Sequence, residues 1–240
     1  YVNHSGAQTE LIFDGGSVAL SRNGNTVCSL PFFKEGLQYV KFENGDLKAS
    51  ETQRETIAND KIRLIHDALV LGIRDYFEKQ GFKKAMLGLS GGIDSAVVTC
   101  LAAEALGPEN IKVLMMPSRF SSEGSVSDSV RLVENLGIPS EIIPINDIYE
   151  QFLAALAPAF KDLPFDVTEE NLQARSRGVL LMAQSNKSGA ILLNTSNKSE
   201  LAVGYGTLYG DMCGGISVIG DLYKTEVYAL ADYINREKAI

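Results

Sequence analysis

Leu87-Gly88-Leu89-Ser90-Gly91-Gly92-Ile93-Asp94-Ser95 is the stretch on which the reading of this chain turns. The apolar run 86–89 has the length and texture of a buried strand, two glycines follow, and residues 96–106 show helical periodicity that stops at Gly107. A strand therefore delivers the chain through a tight bend to a helix N-terminus. There the first backbone N–H groups lack intrahelical partners and the helix dipole is positive, while Gly91 and Gly92 keep no anion away. Such a bend suits phosphate.

The familiar phosphate loop, Gly-x-x-x-x-Gly-Lys-Ser/Thr, places a lysine ahead of its terminal hydroxyl residue, whereas here Asp94 precedes Ser95. A carboxylate beside phosphates needs a cation between them. Mg²⁺ is the cation inferred, because it is usually held by one or two carboxylates together with substrate phosphates. The plainer alternative is a strand-to-helix connection in which Asp94 and Ser95 serve only as caps.

Downstream, strands and helices alternate. Residues 111–116 read as a strand, 122–136 as a helix closed by Gly137, 140–145 as a strand, 147–156 and 168–185 as helices, and 190–194 as a strand. This order predicts an α/β fold, a parallel sheet with helices on both faces and right-handed crossovers. Ligands of such sheets bind at the carboxyl ends of strands. Two more loops leave strand ends. In Pro117-Ser-Arg119-Phe-Ser-Ser-Glu-Gly-Ser125, Arg119 and the hydroxyls would suit a nucleotide base or phosphate, or the loop simply leads to an N-cap at Ser121 or Ser122. In residues 190–202 an apolar strand ends at Thr195 and a helix begins near Asn197, which puts Glu200 in its first turn and in the same crevice as Asp94. Two acids and a hydroxyl there suit Mg²⁺ and phosphate, although an acid in a first helical turn also has a purely structural reason to be there.

Ahead of the phosphate bend, residues 1–48 have the texture of β structure, with Asn23-Gly24 as a hairpin turn. A polar link at 48–53 leads to a long amphipathic helix expected over 52–81, with Ile57, Ile62, Ile65, Leu69, Ile73 and Phe77 at helical intervals. The formal net charge of −8 argues against a general nucleic-acid or membrane-surface binder, so an anionic ligand must be met by local donors and metal. Cys28, Cys100 and Cys213 show no metal-site or disulfide spacing and read as reduced thiols of a cytoplasmic protein. No apolar run reaches membrane-spanning length. The chain starts at Tyr1 and stops within a helical pattern, so it is read as a piece of something longer.

Ser90-Gly-Gly-Ile-Asp-Ser95 resembles the Ser-Gly-Gly-x-Asp-Ser signature of the ATP pyrophosphatases, which split ATP between its α and β phosphates and form adenylated intermediates. Asn194-Thr-Ser-Asn-Lys-Ser-Glu200, its continuation to Asp211, Gly220-Asp-Leu-Tyr-Lys224-Thr, and Glu169-Glu-Asn-Leu-Gln-Ala-Arg-Ser-Arg-Gly178 are similar to the glutamine-dependent NAD synthetases in particular. The resemblance implies an adenine nucleotide alpha hydrolase-like, Rossmann-like sheet. It assigns ATP to Gly88, Leu89, Ser90, Gly91, Gly92, Ile93, Asp94, Ser95, Thr195 and Lys224, and Mg²⁺ to Asp94 and Glu200. Deamido-NAD falls to Asn171, Arg175 and Glu200, and the catalytic set is Asp94, Glu200 and Lys224. Read without it, Lys224 is a solvated charge in a loop, and Asn171 and Arg175, which share a helix face, are a cap and a surface ion pair with Glu169 or Glu170.

Residues 1–17 are similar to the closing strands of a nitrilase-like glutaminase module, so 1–48 would be the end of that module and 49–240 the synthetase domain, short of the family's C-terminal segment. The Glu-Lys-Cys triad of such a module is not assigned here; Cys28 lies in the hairpin. Where small ammonia-dependent relatives have a lysine this chain has Leu208, so that contact does not carry over. The expected activity is ATP-dependent amidation of deamido-NAD to NAD, with ammonia from glutamine, in a homodimer or higher homo-oligomer that engages neither nucleic acid nor membrane. The alternatives are another amidating ATP pyrophosphatase such as GMP synthetase, and a non-catalytic ATP-binding module.

Overall fold

The computed structural model describes residues 1–48, 60–161 and 163–238. The chain divides into two compact units, Tyr1–Gln80 and Gly81–Ile240. The family-derived boundary at residue 49 lies outside the described residues, and the helix that follows it joins the first unit by its contacts.

The first unit holds three antiparallel hairpins, β1 (Ser5–Gln8) with β2 (Leu11–Asp14), β3 (Val18–Leu20) with β4 (Thr26–Ser29), and β5 (Lys41–Glu43) with β6 (Asp46–Lys48), followed by α1 (Lys61–Gln80). Gly24, at φ +79, turns β3 into β4 as the Asn-Gly signal predicts. A second Asn-Gly pair joins β5 to β6, where Asn44 and Gly45 both have positive φ, the requirement of a type I′ turn. Asp75 of α1 accepts from the Ala7 N–H at 2.7 Å and pairs with Lys79 at 3.0 Å, which seats β1 on the helix. The helix begins at Lys61, and the earlier part of the predicted 52–81 span, with Ile57, lies outside the described residues. Its buried positions are His66, Val70, Ile73 and Phe77, so the apolar stripe is offset from the predicted one at its N-terminal half.

The second unit is the predicted α/β sheet. Its elements are β7 (Ala85–Gly88), α2 (Ile93–Leu106), β8 (Ile111–Met115), α3 (Glu123–Leu136), β9 (Ser140–Ile142), α4 (Asn146–Phe160), α5 (Val167–Ser188), β10 (Ile191–Asn194), α6 (Lys198–Val203), β11 (Ile216–Ser217) and α7 (Lys224–Lys238). The strands are parallel in the order β11-β10-β7-β8-β9. Alternation along β7 sends Met86 and Gly88 toward one face and Ala85 and Leu87 toward the other. Met86, Leu114 and Leu192 build a buried cluster completed by Leu180 and Leu181 of α5. On the opposite face α2, with Val97, Val98, Leu101 and Ala102 buried, packs on β7 and β8 and is flanked by α3 and α7. Helix ends follow local chemistry: Ser122 caps α3 by accepting from the Ser125 N–H at 3.0 Å, and Gly137 closes it at φ +67. β9 is shorter than the predicted strand and exposed throughout, as befits a sheet edge.

Leu114 is completely buried in the cluster with Met86, Met116, Ile145, Ala190 and Leu192. Leu114→Ala is expected to lower unfolding stability by about 2–5 kcal/mol, whereas Ile142→Ala on the exposed edge strand should cost less than about 1 kcal/mol. Urea unfolding of the two variants reads the contrast.

Candidate active site

Strand order reverses between β7 and β10, because the chain runs outward from β7 through β8 to β9 and then returns to β10 on the other side. A crevice opens at the carboxyl ends of strands at such a point. Three strand ends deliver side chains there: β7 into residues 89–95, β8 into Met116 and Pro117, and β10 into Thr195.

The bend after β7 is knitted by serines. The Ser90 N–H donates to Ser95 Oγ at 3.3 Å, the two hydroxyls lie 3.2 Å apart, and Ser95 Oγ donates to the Gly92 carbonyl at 3.0 Å. Ser95 is buried and holds the bend from inside, whereas Ser90 is exposed. Gly91 has φ +82, and a Cβ there would stand 2.4 Å from the Ser125 carbonyl oxygen, so the start of α3 presses on the bend at the one position that must lack a side chain. Gly92 is the N-cap of α2 and has no side chain to occupy the helix's first N–H groups.

Asp94, in the first turn of α2, is the centre of a polar cluster. One carboxylate oxygen accepts from the Asn197 side-chain amide at 3.1 Å and the other pairs with the Lys224 ammonium. Asn197, completely buried, is also the N-cap of α6: its Oδ1 accepts from the Glu200 N–H at 3.0 Å, and Glu200 returns a carboxylate oxygen to the Asn197 N–H at 3.0 Å. Asp94 and Glu200 thus converge on one asparagine. Among the described residues no group of three acidic, histidine or cysteine side chains surrounds them, so protein ligation for a divalent cation would come from these two carboxylates. That donor set fits Mg²⁺ completed by phosphate oxygens, provided that Lys224 yields its place on Asp94.

Two hollows lie at the strand ends and the loops that follow them. One of about 370 Å³ runs from Gly88, Leu89 and Ser90 past Ser125 to Thr195. The other, of about 650 Å³, is lined by Asn171, Thr207 and the exposed rings of Phe120, Phe165 and Tyr205. They share Ser121, Ala174, Arg177 and Asp211 as walls. Asn194 ties the β10 end to the wall beyond, its amide donating to the Asp211 carbonyl at 2.8 Å and its oxygen accepting from Ser217 Oγ at 3.1 Å.

Residues 65–240 match the family model described as NAD synthase. The chain belongs to the NAD synthase family. It is 48% identical over its whole length to the glutamine-dependent NAD(+) synthetase of Synechocystis, and covers 43% of that protein. A solved structure of glutamine-dependent NAD⁺ synthetase from Acinetobacter baumannii, in complex with ADP, superposes with a TM-score of 0.94 at 45% identity, over 98% of this chain and 45% of that one. The NH3-dependent NAD synthetase of Campylobacter jejuni gives a TM-score of 0.67 at 36% identity, over 75% and 76%. The chain spans less than half the length of the curated relatives it matches.

Within this NAD synthase fold the residues singled out by sequence fall into two groups. Gly88, Leu89, Ser90 and Thr195 line the smaller hollow, while Asp94, Glu200 and Lys224 meet around Asn197 outside the lining of both hollows. Lys224 is the first residue of α7, engaged with Asp94, and not the free loop lysine that its sequence context suggested. Asn171 lines the larger hollow and accepts from Thr207 Oγ1 at 2.7 Å, while Arg175 stands exposed with its Nε on the Leu208 carbonyl at 3.2 Å, outside the lining of both hollows. Arg119 pairs with Glu150 at 2.8 Å and lies over the Phe120 ring, so the hydroxyls of its loop, not its guanidinium, reach the smaller hollow. Sequence reasoning missed Asn197 and Arg177. The Asn-x-x-Glu spacing of a capping box was a usable signal for the first. The second carried none, since one arginine on a helix looks like another.

Gly91→Ala is expected to destabilise by more than about 1 kcal/mol, because a positive-φ site is strained and the Ser125 backbone must move. In Gly92→Ala the new methyl meets only the Ser90 hydroxyl, at 3.3 Å, so the loss should be clearly smaller. Thermal unfolding of the pair distinguishes the positions.

Proposed function

We propose that this chain is the synthetase part of an enzyme that amidates deamido-NAD to NAD at the expense of ATP, releasing AMP and pyrophosphate, with ammonia drawn from glutamine in the protein that carries it. One observation carries the reading. A glycine bend at a helix N-terminus carries an acid cluster, and the smaller of two hollows that share a wall is lined by Ser90, where that bend begins, so a nucleotide and a second large ligand can meet there. Relatives named glutamine-dependent NAD(+) synthetase support the choice of acceptor. The boundaries 1–48, as the end of a nitrilase-like glutaminase module, and 49–240, as the synthetase domain, belong to this proposal. So do a cytoplasmic location and a homodimer or higher homo-oligomer.

A carboxylate is a poor acyl donor because its leaving group would be oxide. Converting one of its oxygens into an adenylate provides a leaving group that ammonia can displace. In this reading Ser90 to Ser95 and the α2 N-terminus hold the departing pyrophosphate, Thr195 and Lys224 steady ATP, and Asn171 and Arg175 place the dinucleotide. Asp94 and Glu200 would hold Mg²⁺, which when bound neutralises charge on the phosphate oxygens. The rest of the contribution is placement and a preorganised field. Asn197 fixes both carboxylates without being charged itself.

Purified protein, ATP, Mg²⁺ and ammonium or glutamine, with deamido-NAD or XMP as acceptor, should yield pyrophosphate and amide only with deamido-NAD. Amidation of XMP would replace the reading with GMP synthesis, and ATP binding with no pyrophosphate release under any acceptor would replace it with a sensor. Asp94→Ala and Glu200→Ala are expected to slow pyrophosphate release by about 10²-fold or more with the fold retained by circular dichroism. Arg175→Ala should raise the KM for deamido-NAD more than that for ATP.

A further inference from the structure

Among the described residues Arg177 is the one cation on the walls of the two hollows, and none of the roles above employs it. It stands two residues beyond Arg175 on α5, hence on the opposite side of the helix, and the two side chains end in different surroundings. Arg175 is exposed, whereas Arg177 is half-buried and lines both hollows. Its Nε donates to the Met116 carbonyl at 3.1 Å, which braces the guanidinium against the end of β8. That bond uses one of five N–H groups. Among the described residues no carboxylate comes within ion-pair distance of it; the acids that share its walls are Asp211, whose Oδ1 accepts from the Thr207 N–H, and Glu170. Burial holds its pKa below the ordinary arginine value, yet a guanidinium stays charged at neutral pH. A half-buried cation without a counter-ion is costly until an anion reaches it.

The shared wall is where that anion must come. The smaller hollow is lined by Ser90, where the bend begins, and by Thr195, the larger by Asn171, and Arg177 borders both. We infer that Arg177 is a catalytic residue of the adenylation step, its terminal N–H groups gripping the acceptor carboxylate and the α-phosphoryl oxygens together as one attacks the other. The inference rests on the function proposed above. In the step a carboxylate oxygen forms a bond to the α-phosphorus, the bond from that phosphorus to the α,β-bridging oxygen breaks, and pyrophosphate leaves with the electron pair; no proton moves. Two anions must approach, and a planar fork that can bond both relieves the repulsion when they are closest.

The test is isotope exchange between pyrophosphate and ATP, dependent on deamido-NAD, with separate equilibrium binding of each substrate. Arg177→Ala is expected to slow exchange by about 10²-fold or more, and Arg177→Lys, which keeps a charge but loses the fork, by about tenfold or more. ATP and deamido-NAD should each bind within about threefold of wild type when offered singly. Should Arg177→Ala fail to fold, Arg177→Lys carries the test. Wild-type exchange rates in Arg177→Lys, or a raised KM for one substrate with kcat kept, would overturn the inference while leaving the proposed function standing. Absence of deamido-NAD-dependent exchange in the wild type would instead remove the proposed function itself.

Discussion

Asp94 puts a carboxylate at a helix N-terminus that is otherwise shaped for anionic ligands, and the geometry around it follows from the need to satisfy that charge. Its two partners come from residues 103 and 130 positions later in the chain. They reach it only because the strand order sets β10 directly beside β7, which brings the β10 loop and the start of α7 to the head of α2. A partly buried carboxylate without partners would be costly. The asparagine supplies a neutral donor that can stay, and the lysine a charge that can be exchanged: any cation Asp94 is to hold takes the place of Lys224. The carboxylate then keeps a positive neighbour in both conditions.

The bend is held from two sides by different means. On the α2 side Ser95, buried, bonds to both ends of the turn. On the α3 side the Ser125 backbone lies so close to Gly91 that no Cβ fits between them. The first contact fixes the curvature and the second fixes its position relative to β8. Since Ser125 also lines the smaller hollow, the wall of the ligand space and the brace of the bend are one piece of chain. A site of this kind is preorganised by packing, without strain spread over many residues.

Sequence made the second unit legible because its elements obey local rules. β7, the Ser122 cap and Gly137 stop of α3, and the start of α6 at Asn197 all lie within a residue or so of where the pattern puts them, while α2 begins at Ile93, three residues before its apolar periodicity. Where packing overrides the pattern, legibility falls. β9 is shorter than its apolar run, since an edge strand needs only a few pairs, and the buried face of α1 begins at His66, a polar residue that periodicity discounts. The site was readable wherever a residue sits in a motif and opaque where its role is set by distance in space. Lys224 meets Asp94 across most of the domain, and Arg177 differs from Arg175 only by the side of the helix it occupies, which the sequence alone does not rank.

The net charge of −8 and the anionic ligands of the proposed reaction impose opposite demands, and the site resolves them locally. A chain of this sign gives no long-range attraction to polyphosphate, and screening confines exposed charges to about 8 Å at physiological ionic strength. Recognition must therefore be short-ranged: backbone N–H groups at the head of α2, one exchangeable lysine, one half-buried arginine. Each is placed where water is partly excluded, so that it acts through a lower effective dielectric than a surface lysine does. Arg177 is held on a carbonyl, so a ligand does not have to order it on arrival, while Lys224 is held on Asp94 until a cation takes its place. Few charges suffice because they are concentrated where the two ligands of the proposed reaction would meet.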